Sequence, residues 1–306
     1  MASALVNSPD IQDLLDKVSG LDQPNGDSRA KQIVRRIVGD LFATIDEFNV
    51  SDDEFWAALN FLVDAAPEFG LIAPGLGFDH FLDVRADAAA AKAGLSGGTP
   101  RTIEGPLYVA GAPRAKGVAR LDDGTETGEV LLMNGQVLDL NGRPIAGALV
   151  EVWHANTRGN YSYFDRSQSA FNLRRTIETD AEGRYSFRTI MPRGYSVPPQ
   201  GSTDRLLQQL GRHGSRPAHI HFFVSADGFR HLTTQINMAD DPLVHDDFAY
   251  ATRDGLIPDL IRHDSPEDIQ GEGLDSPYAE IRFDFVLSKA QTPEEAARSM
   301  RRRAEG

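Results

Sequence analysis

The spacing of apolar residues changes character once along this chain, in the glycine- and proline-bearing stretch LSGGTPRTIEGP from Leu95 to Pro106. Upstream, Ile33, Val34, Ile37, Val38, Leu41, Phe42, Ile45 and Phe48 recur every three or four residues, which predicts an amphipathic helix over Ser28–Phe48. Ser51 followed three residues later by Glu54 is a capping-box signature, and Phe55, Trp56, Leu59, Leu62 and Val63 carry the helical period onward. Ile11–Val18 suggests a shorter helix, and Ala86–Ala93 is alanine-rich. Downstream the period falls to two. Asn141-Gly142, Gly183 and Asp227-Gly228 each separate alternating runs and predict hairpins, and a last alternating run covers Glu280–Ser288. The expected fold is mainly β: an antiparallel β-sandwich over residues 104–290, preceded by an α-helical domain over 1–103 and followed by a tail, 291–306.

Composition removes several classes of function. A net charge of -14 repels nucleic acid and anionic lipid surfaces. No apolar run reaches the roughly 20 residues of a membrane span, and MASALVNSPD lacks the basic flank and apolar core of a signal peptide. A cytoplasmic protein is expected. The arginines Arg301–Arg303 read as a solvated tail. With no cysteine, disulfides, thiolate nucleophiles, iron–sulfur clusters and cysteine-type zinc sites are all excluded. Any metal must be held by histidine, carboxylate or tyrosine.

The segment RPAHIHFFVSADG places His219 and His221 two apart in a strand-forming run, so both rings emerge on one face. Such a pair is either a metal site or a hydrogen-bonded polar pair. Two long irregular segments add Tyr161, in RGNYSYFD, and Tyr195, in PRGYSVPP, each beside a glycine that allows close backbone approach. Phenolates are hard anionic donors, and a trivalent cation depresses a phenol's ordinary value of about 10 most effectively. Two imidazoles with two phenols therefore suit Fe(III) better than zinc or a ferrous centre. Two other readings stay open on the residues alone: a zinc or cupin-like enzyme with a carboxylate beside the His-x-His pair, and a non-catalytic β-sandwich binding module. Trp56 and Trp153 read as core aromatics, and His154 and His213 as structural hydrogen-bonding residues.

Longer blocks narrow the choice. GGTPRTIEGPLYVAGAP, VEVWHANTRGNYSYFD, FNLRRTIETDAEGRY, LGRHGSRPAHIHFFVSADG, LTTQIN and DDFAYATRDGL, in this order, resemble the intradiol ring-cleaving dioxygenases over nearly the whole chain. The resemblance implies a Fe(III) enzyme that cleaves catechol with dioxygen to cis,cis-muconate. It implies Tyr161, Tyr195, His219 and His221 as iron ligands, with Tyr195 and His221 axial and a hydroxide completing the set. It assigns Arg216 beside the substrate, Gln235 near the iron, and Leu71, Pro74, Ile103, Pro106, Leu107, Phe248 and Ala249 to the substrate pocket. It also implies a homodimer built on the N-terminal helices, which would make them a dimerisation and linker domain, with a phospholipid or fatty-acid-like molecule held at the interface.

Overall fold

The computed structural model describes residues 5–292 and 294–296, so Arg301–Arg303 and most of the tail lie outside the described residues. Contacts divide the chain into two compact units, Met1–Ala66 and Pro67–Gly306.

The first unit is helical. It contains α1 (Pro9–Val18), α2 (Ser28–Glu47) and α3 (Asp52–Ala65). α2 starts where Asp27 accepts a hydrogen bond from the Ala30 amide, and the Ser51–Glu54 capping box opens α3 as the sequence indicates. The apolar stripes of these helices are open: no residue of α2 is buried, Ile37 is 54% exposed and Trp56 is 61% exposed. Trp56 is therefore not the core aromatic that its type suggests. The helical run Asp52–Gly75 is long and apolar enough to cross a membrane by length and composition alone, the mean hydropathy of its best 18-residue window being 1.2. That run carries Asp52, Asp53, Glu54, Asp64 and Glu68, and a 3-10 turn at Ala66–Glu68 interrupts it.

The second unit opens with α4 (Phe69–Gly75) and α5 (Phe78–Lys92) and continues as strands. These are β1 (Arg114–Lys116), β2 (Val118–Arg120), β3 (Val130–Asp139), β4 (Leu149–His154), β5 (Arg174–Glu178), β6 (Arg184–Ile190) and β7 (Tyr195–Ser196). After α6 (Ser202–Gln209) come β8 (Ser215–Arg216), β9 (His219–Ser225), β10 (Leu232–Asn237), β11 (Ile261–His263), α7 (Pro266–Gly271), β12 (Tyr278–Arg282) and β13 (Phe285–Leu287). One sheet has the order β1-β5-β4-β9-β10 and another β11-β12-β3-β6-β2, with β13 also on β3 and β7 paired to β8 alone.

Two details depart from the sequence reading. The sheets are mixed: β1 on β5, β2 on β6, and both β12 and β13 on β3 run parallel. Of the three expected hairpins only the one at Asp227-Gly228 joins neighbouring strands, with Leu232 opposite Val224. At Asn141-Gly142 the chain reverses locally, Leu138 bridging Pro144, and then crosses so that β4 pairs with β5 and β9. Gly183 likewise lies between β5 and β6, which belong to different sheets. A turn motif specifies the reversal of the backbone, not the partner that the next strand finds. The run Glu280–Ser288 divides between β12 and β13, and the break passes over β3 at Gly135. A Cβ at Gly135 would lie 1.8 Å from the Phe283 carbonyl oxygen, so only glycine fits there.

Residues of both sheets share one apolar cluster: Leu131, Met133 and Val137 of β3, Phe187 of β6, Val150 and Val152 of β4, and Ile220, Phe222 and Val224 of β9. In β9 the members of this cluster are the even-numbered residues. Side chains alternate along a strand, so His219, His221 and Phe223 project from the other face. That face is covered too, since every residue from His219 to Val224 is buried. The placement of the site follows from this double burial.

Candidate active site

Cross-strand register sets what surrounds the two histidines. Trp153 of β4 and Gln235 of β10 lie directly opposite His221 on either side, and Asn237 lies opposite His219. The Trp153 ring stacks on His221 at 5.0 Å between centroids with the planes 7° apart. Trp153 is thus a wall of the site as well as a core aromatic. His219 Nδ1 donates to the Pro217 carbonyl at 2.6 Å, which leaves Nε2 as its lone-pair atom and fixes the ring's orientation.

Tyr195 reaches the same place by a separate device. The two-residue ribbon β7–β8 pairs Tyr195 with Arg216, and the chain before it passes so close to β8 that a Cβ on Gly194 would lie 2.3 Å from the Arg216 carbonyl oxygen. Tyr161 arrives from the irregular segment after β4, its ring edge-on to Tyr195 with centroids 5.6 Å apart. The buried Arg174 guanidinium lies 5.8 Å from the Tyr161 ring centroid and is anchored by Ser162 through Nε at 2.9 Å.

The donor atoms converge. His219 Nε2 is 3.1 Å from His221 Nε2 and 3.3 Å from the Tyr161 hydroxyl. Two ligands bonded at about 2.0–2.1 Å to a common ion and roughly at right angles stand about 3 Å apart, so these separations fit a shared metal. His221 Nδ1 is buried without a hydrogen-bond partner, and the stacked Trp153 ring orients His221 instead. Burial, reinforced by Arg216, lowers His219 to about 3, and burial and His219 put His221 well below its ordinary value. Both rings are neutral and able to ligate. Burial and then Tyr195 raise the Tyr161 phenol well above 10, so its ionisation calls for a strong cation at the site. Among the described residues no cluster of three or more His, Cys, Asp or Glu forms a metal site. A set of two histidines and two tyrosines is a chemically different arrangement.

A fixed cation borders the donors. Arg216 Nη1 lies 3.0 Å from His219 Nε2, Nη2 donates to Gln235 Oε1 at 2.8 Å, and Nε and Nη2 grip both oxygens of Asp247 at 3.1 and 2.9 Å. Burial alone would lower Arg216, but Asp247 and the two tyrosines more than offset it and the group stays charged. Burial pushes the Asp247 carboxyl up, yet Arg216 holds it below its ordinary value. Asp247 also accepts from the Ala249 amide at 3.0 Å, which fastens the segment carrying Phe248 and Ala249. Sequence reasoning gave no role to Asp247 or Arg174. Neither lies in a periodic run with its partners, and Asp247 stands 31 positions from Arg216.

The expected pocket residues fall into adjoining groups. Leu71, Ile103, Phe248 and Ala249 pack in one cluster with Val197, Leu207 and Ala251. Leu107 packs with Tyr195, Tyr161, Trp153 and Phe223. Pro74 is buried in α4, whose next residue, Gly75, faces the Phe248 ring, and Pro106 faces Gly70. His154 is held by Ala155 and Thr189, both at 2.7 Å, and His213 accepts from the Ser215 amide, so both make structural hydrogen bonds.

Known proteins align with this arrangement. Residues 27–94 match the family described as catechol dioxygenase N terminus, and residues 103–289 the family described as dioxygenase. Catechol 1,2-dioxygenase 2 of Acinetobacter lwoffii is 66% identical over 255 residues, spanning 83% of this chain and 93% of that protein. Catechol 1,2-dioxygenase of Acinetobacter baylyi is 53% identical over 294 residues, 94% of each chain. The crystal structure of catechol 1,2-dioxygenase from Pseudomonas arvilla C-1 superposes with a TM-score of 0.92 at 54% identity, covering 99% of both chains. With both segments matched and relatives aligned over most of their length, the chain belongs to the intradiol ring-cleaving dioxygenase family.

Proposed function

We propose that this protein cleaves catechol between its two hydroxyl-bearing carbons, incorporating both atoms of dioxygen and releasing cis,cis-muconate. The observation that carries the reading is the convergence of two neutral imidazole nitrogens, 3.1 Å apart, with the Tyr161 hydroxyl and the Tyr195 ring in a buried site. Tyr161, Tyr195, His219 and His221 would hold Fe(III). When bound, the ion supplies Lewis acidity that favours the catecholate form of the substrate and its reaction with dioxygen.

The remaining chemistry belongs to the chain's own residues. Tyr195, on a two-residue ribbon outside the two large sheets, would in its phenolate form take up a proton from catechol at its oxygen and become the neutral phenol. Arg216 presents a permanent positive charge toward the ring, where negative charge builds as the ring loses aromaticity, and Asp247 and Gln235 keep it from moving. Leu71, Pro74, Ile103, Pro106, Leu107, Phe248 and Ala249 offer apolar walls for a flat ring and keep water out. Trp153 and Arg174 hold His221 and Tyr161 in position.

For the whole molecule we infer a β-sandwich catalytic domain over 104–290, supported by the cluster that both sheets share, with 1–103 as a dimerisation and linker region. The open apolar stripes of α2 and α3 suit a homodimer with a lipid-like molecule between its helices, in the cytoplasm. A single monomer mass in light scattering would exclude the dimer. The activity is tested by oxygen uptake with catechol alongside metal analysis. The wild type should contain iron and consume one dioxygen per catechol. His219→Ala should lose both metal and turnover, and full iron content in that variant would remove the ligand assignment.

A further inference from the structure

Away from the candidate centre, the second unit holds a cavity of about 210 Å³ into which three arginines, Arg101, Arg230 and Arg253, project with a single lining carboxylate, Asp87. None of the four expected iron ligands lines it. Asp87 serves two of the guanidiniums, Arg253 at 2.6 Å and Arg101 at 4.0 Å. The third, Arg230, has Glu295 3.5 Å from Nε, an ion pair without a hydrogen bond, and that buried Nε has no hydrogen-bond partner. Arg253 also donates from Nη1 to the Arg101 carbonyl at 2.7 Å, and the three arginines line the space in a chain whose net charge is -14. Basic side chains gathered on one cavity wall against the overall charge describe a site for an anion.

The rest of the lining identifies the kind of anion. Leu95, Leu232 and Val286 line the same space, so part of the wall is hydrocarbon. A bare phosphate would leave that wall uncovered, whereas a carboxylate with a short hydrocarbon body meets both surfaces, its oxygens taken by the planar guanidinium forks. We infer that this cavity binds a small organic carboxylate at a site distinct from the iron centre. It lies beside chain segments that lead to that centre: Arg101 is two residues before the wall residue Ile103, and Leu232 begins the strand that carries Gln235.

The test is calorimetric titration of the iron-loaded protein with succinate, and separately with inorganic phosphate, at constant ionic strength. Succinate should bind with one site per chain and leave the visible absorption of the iron centre unmoved. Arg230→Gln should weaken binding by about tenfold or more, the loss expected from removing a charged hydrogen-bond donor, while catechol turnover stays at the wild-type level. Arg230→Lys, which keeps the charge, should retain part of the affinity. Equal succinate affinity in wild type and Arg230→Gln would overturn the site, as would a succinate-induced change in the iron absorption. Phosphate binding as tightly as succinate would overturn the carboxylate assignment. Failure of the wild type to cleave catechol would bear only on the proposed activity and leave the binding result intact.

Discussion

Replacing Asp247 by asparagine removes one charge from a pair buried at both ends, the side chains of Arg216 and Asp247 being 3% and 1% exposed. The two groups meet at 2.9 Å. At an effective dielectric of about 20, unit charges that close attract by roughly 5–6 kcal/mol, and desolvation offsets much of this. Taking away the carboxylate leaves the guanidinium's desolvation in place without its compensation, which costs about 3–5 kcal/mol. Asparagine can still accept from Arg216 Nε, so the lower part of that range is expected. For a folded unit of this size each kcal/mol lowers the melting temperature by about 2–4 °C, so a loss of about 3–4 kcal/mol gives a drop of about 6–16 °C. Differential scanning calorimetry on metal-free and iron-loaded protein would measure it, the two forms separating the ion pair from stabilisation by bound metal. A shift under about 2 °C in both would refute the claim that this pair is a buried, mutually dependent unit. The double variant Arg216→Met/Asp247→Leu should recover much of the stability while remaining inactive, which separates the pair's structural role from its chemical one.

Gly194→Ala would drive a Cβ into the Arg216 carbonyl and displace the β7–β8 ribbon. Turnover should fall by about 10²-fold, as for misplacement of about 1 Å, with the fold retained by circular dichroism; unchanged turnover would mean that the ribbon does not position Tyr195. Glu68 accepts from the Ser202 and Thr203 amides at 3.1 and 2.8 Å, capping α6 from outside it. Glu68→Ala should cost about 0.5–2 kcal/mol in thermal unfolding and raise the KM for catechol, because Glu68 adjoins the helix that bears Leu71 and Pro74. His154 is lowered to about 4, chiefly by burial, against an ordinary 6.5. The unfolded chain therefore binds the extra proton first, and the stability present above about pH 6.5 declines toward pH 4 by on the order of 3 kcal/mol. In His154→Gln this share of the slope should vanish, and identical pH profiles would show that His154 does not titrate as its burial implies.

The helices could be read from the sequence because their signals are local. The Ser51–Glu54 box and the spacing of Ile33 to Phe48 act within a few residues, and both appear in the structure as expected. Strand existence was equally legible, but strand partnership was not. Asn141-Gly142 and Gly183 lie where the chain moves between sheets, and the long-range contacts that decide this leave no mark at the turn itself. At the site, the alternation of His219 and His221 forecast a common face correctly. What covers that face comes from distant segments: Trp153 through strand pairing, Asp247 through its grip on Arg216, and Arg174 through its position over Tyr161. Trp56 departs from its type for a related reason. Its type predicts burial, whereas the helix turns it outward.

We propose that Tyr161, Tyr195, His219 and His221 together hold a ferric ion that takes catechol directly. The sharpest test is the visible absorption spectrum of the iron-loaded protein, recorded alone and then with catechol in the absence of oxygen. Ferric iron held by two phenolates should give a broad phenolate-to-iron charge-transfer band that shifts to longer wavelength when catechol is added. A protein that contains iron yet shows no such band, or whose band ignores catechol, would contradict this assignment.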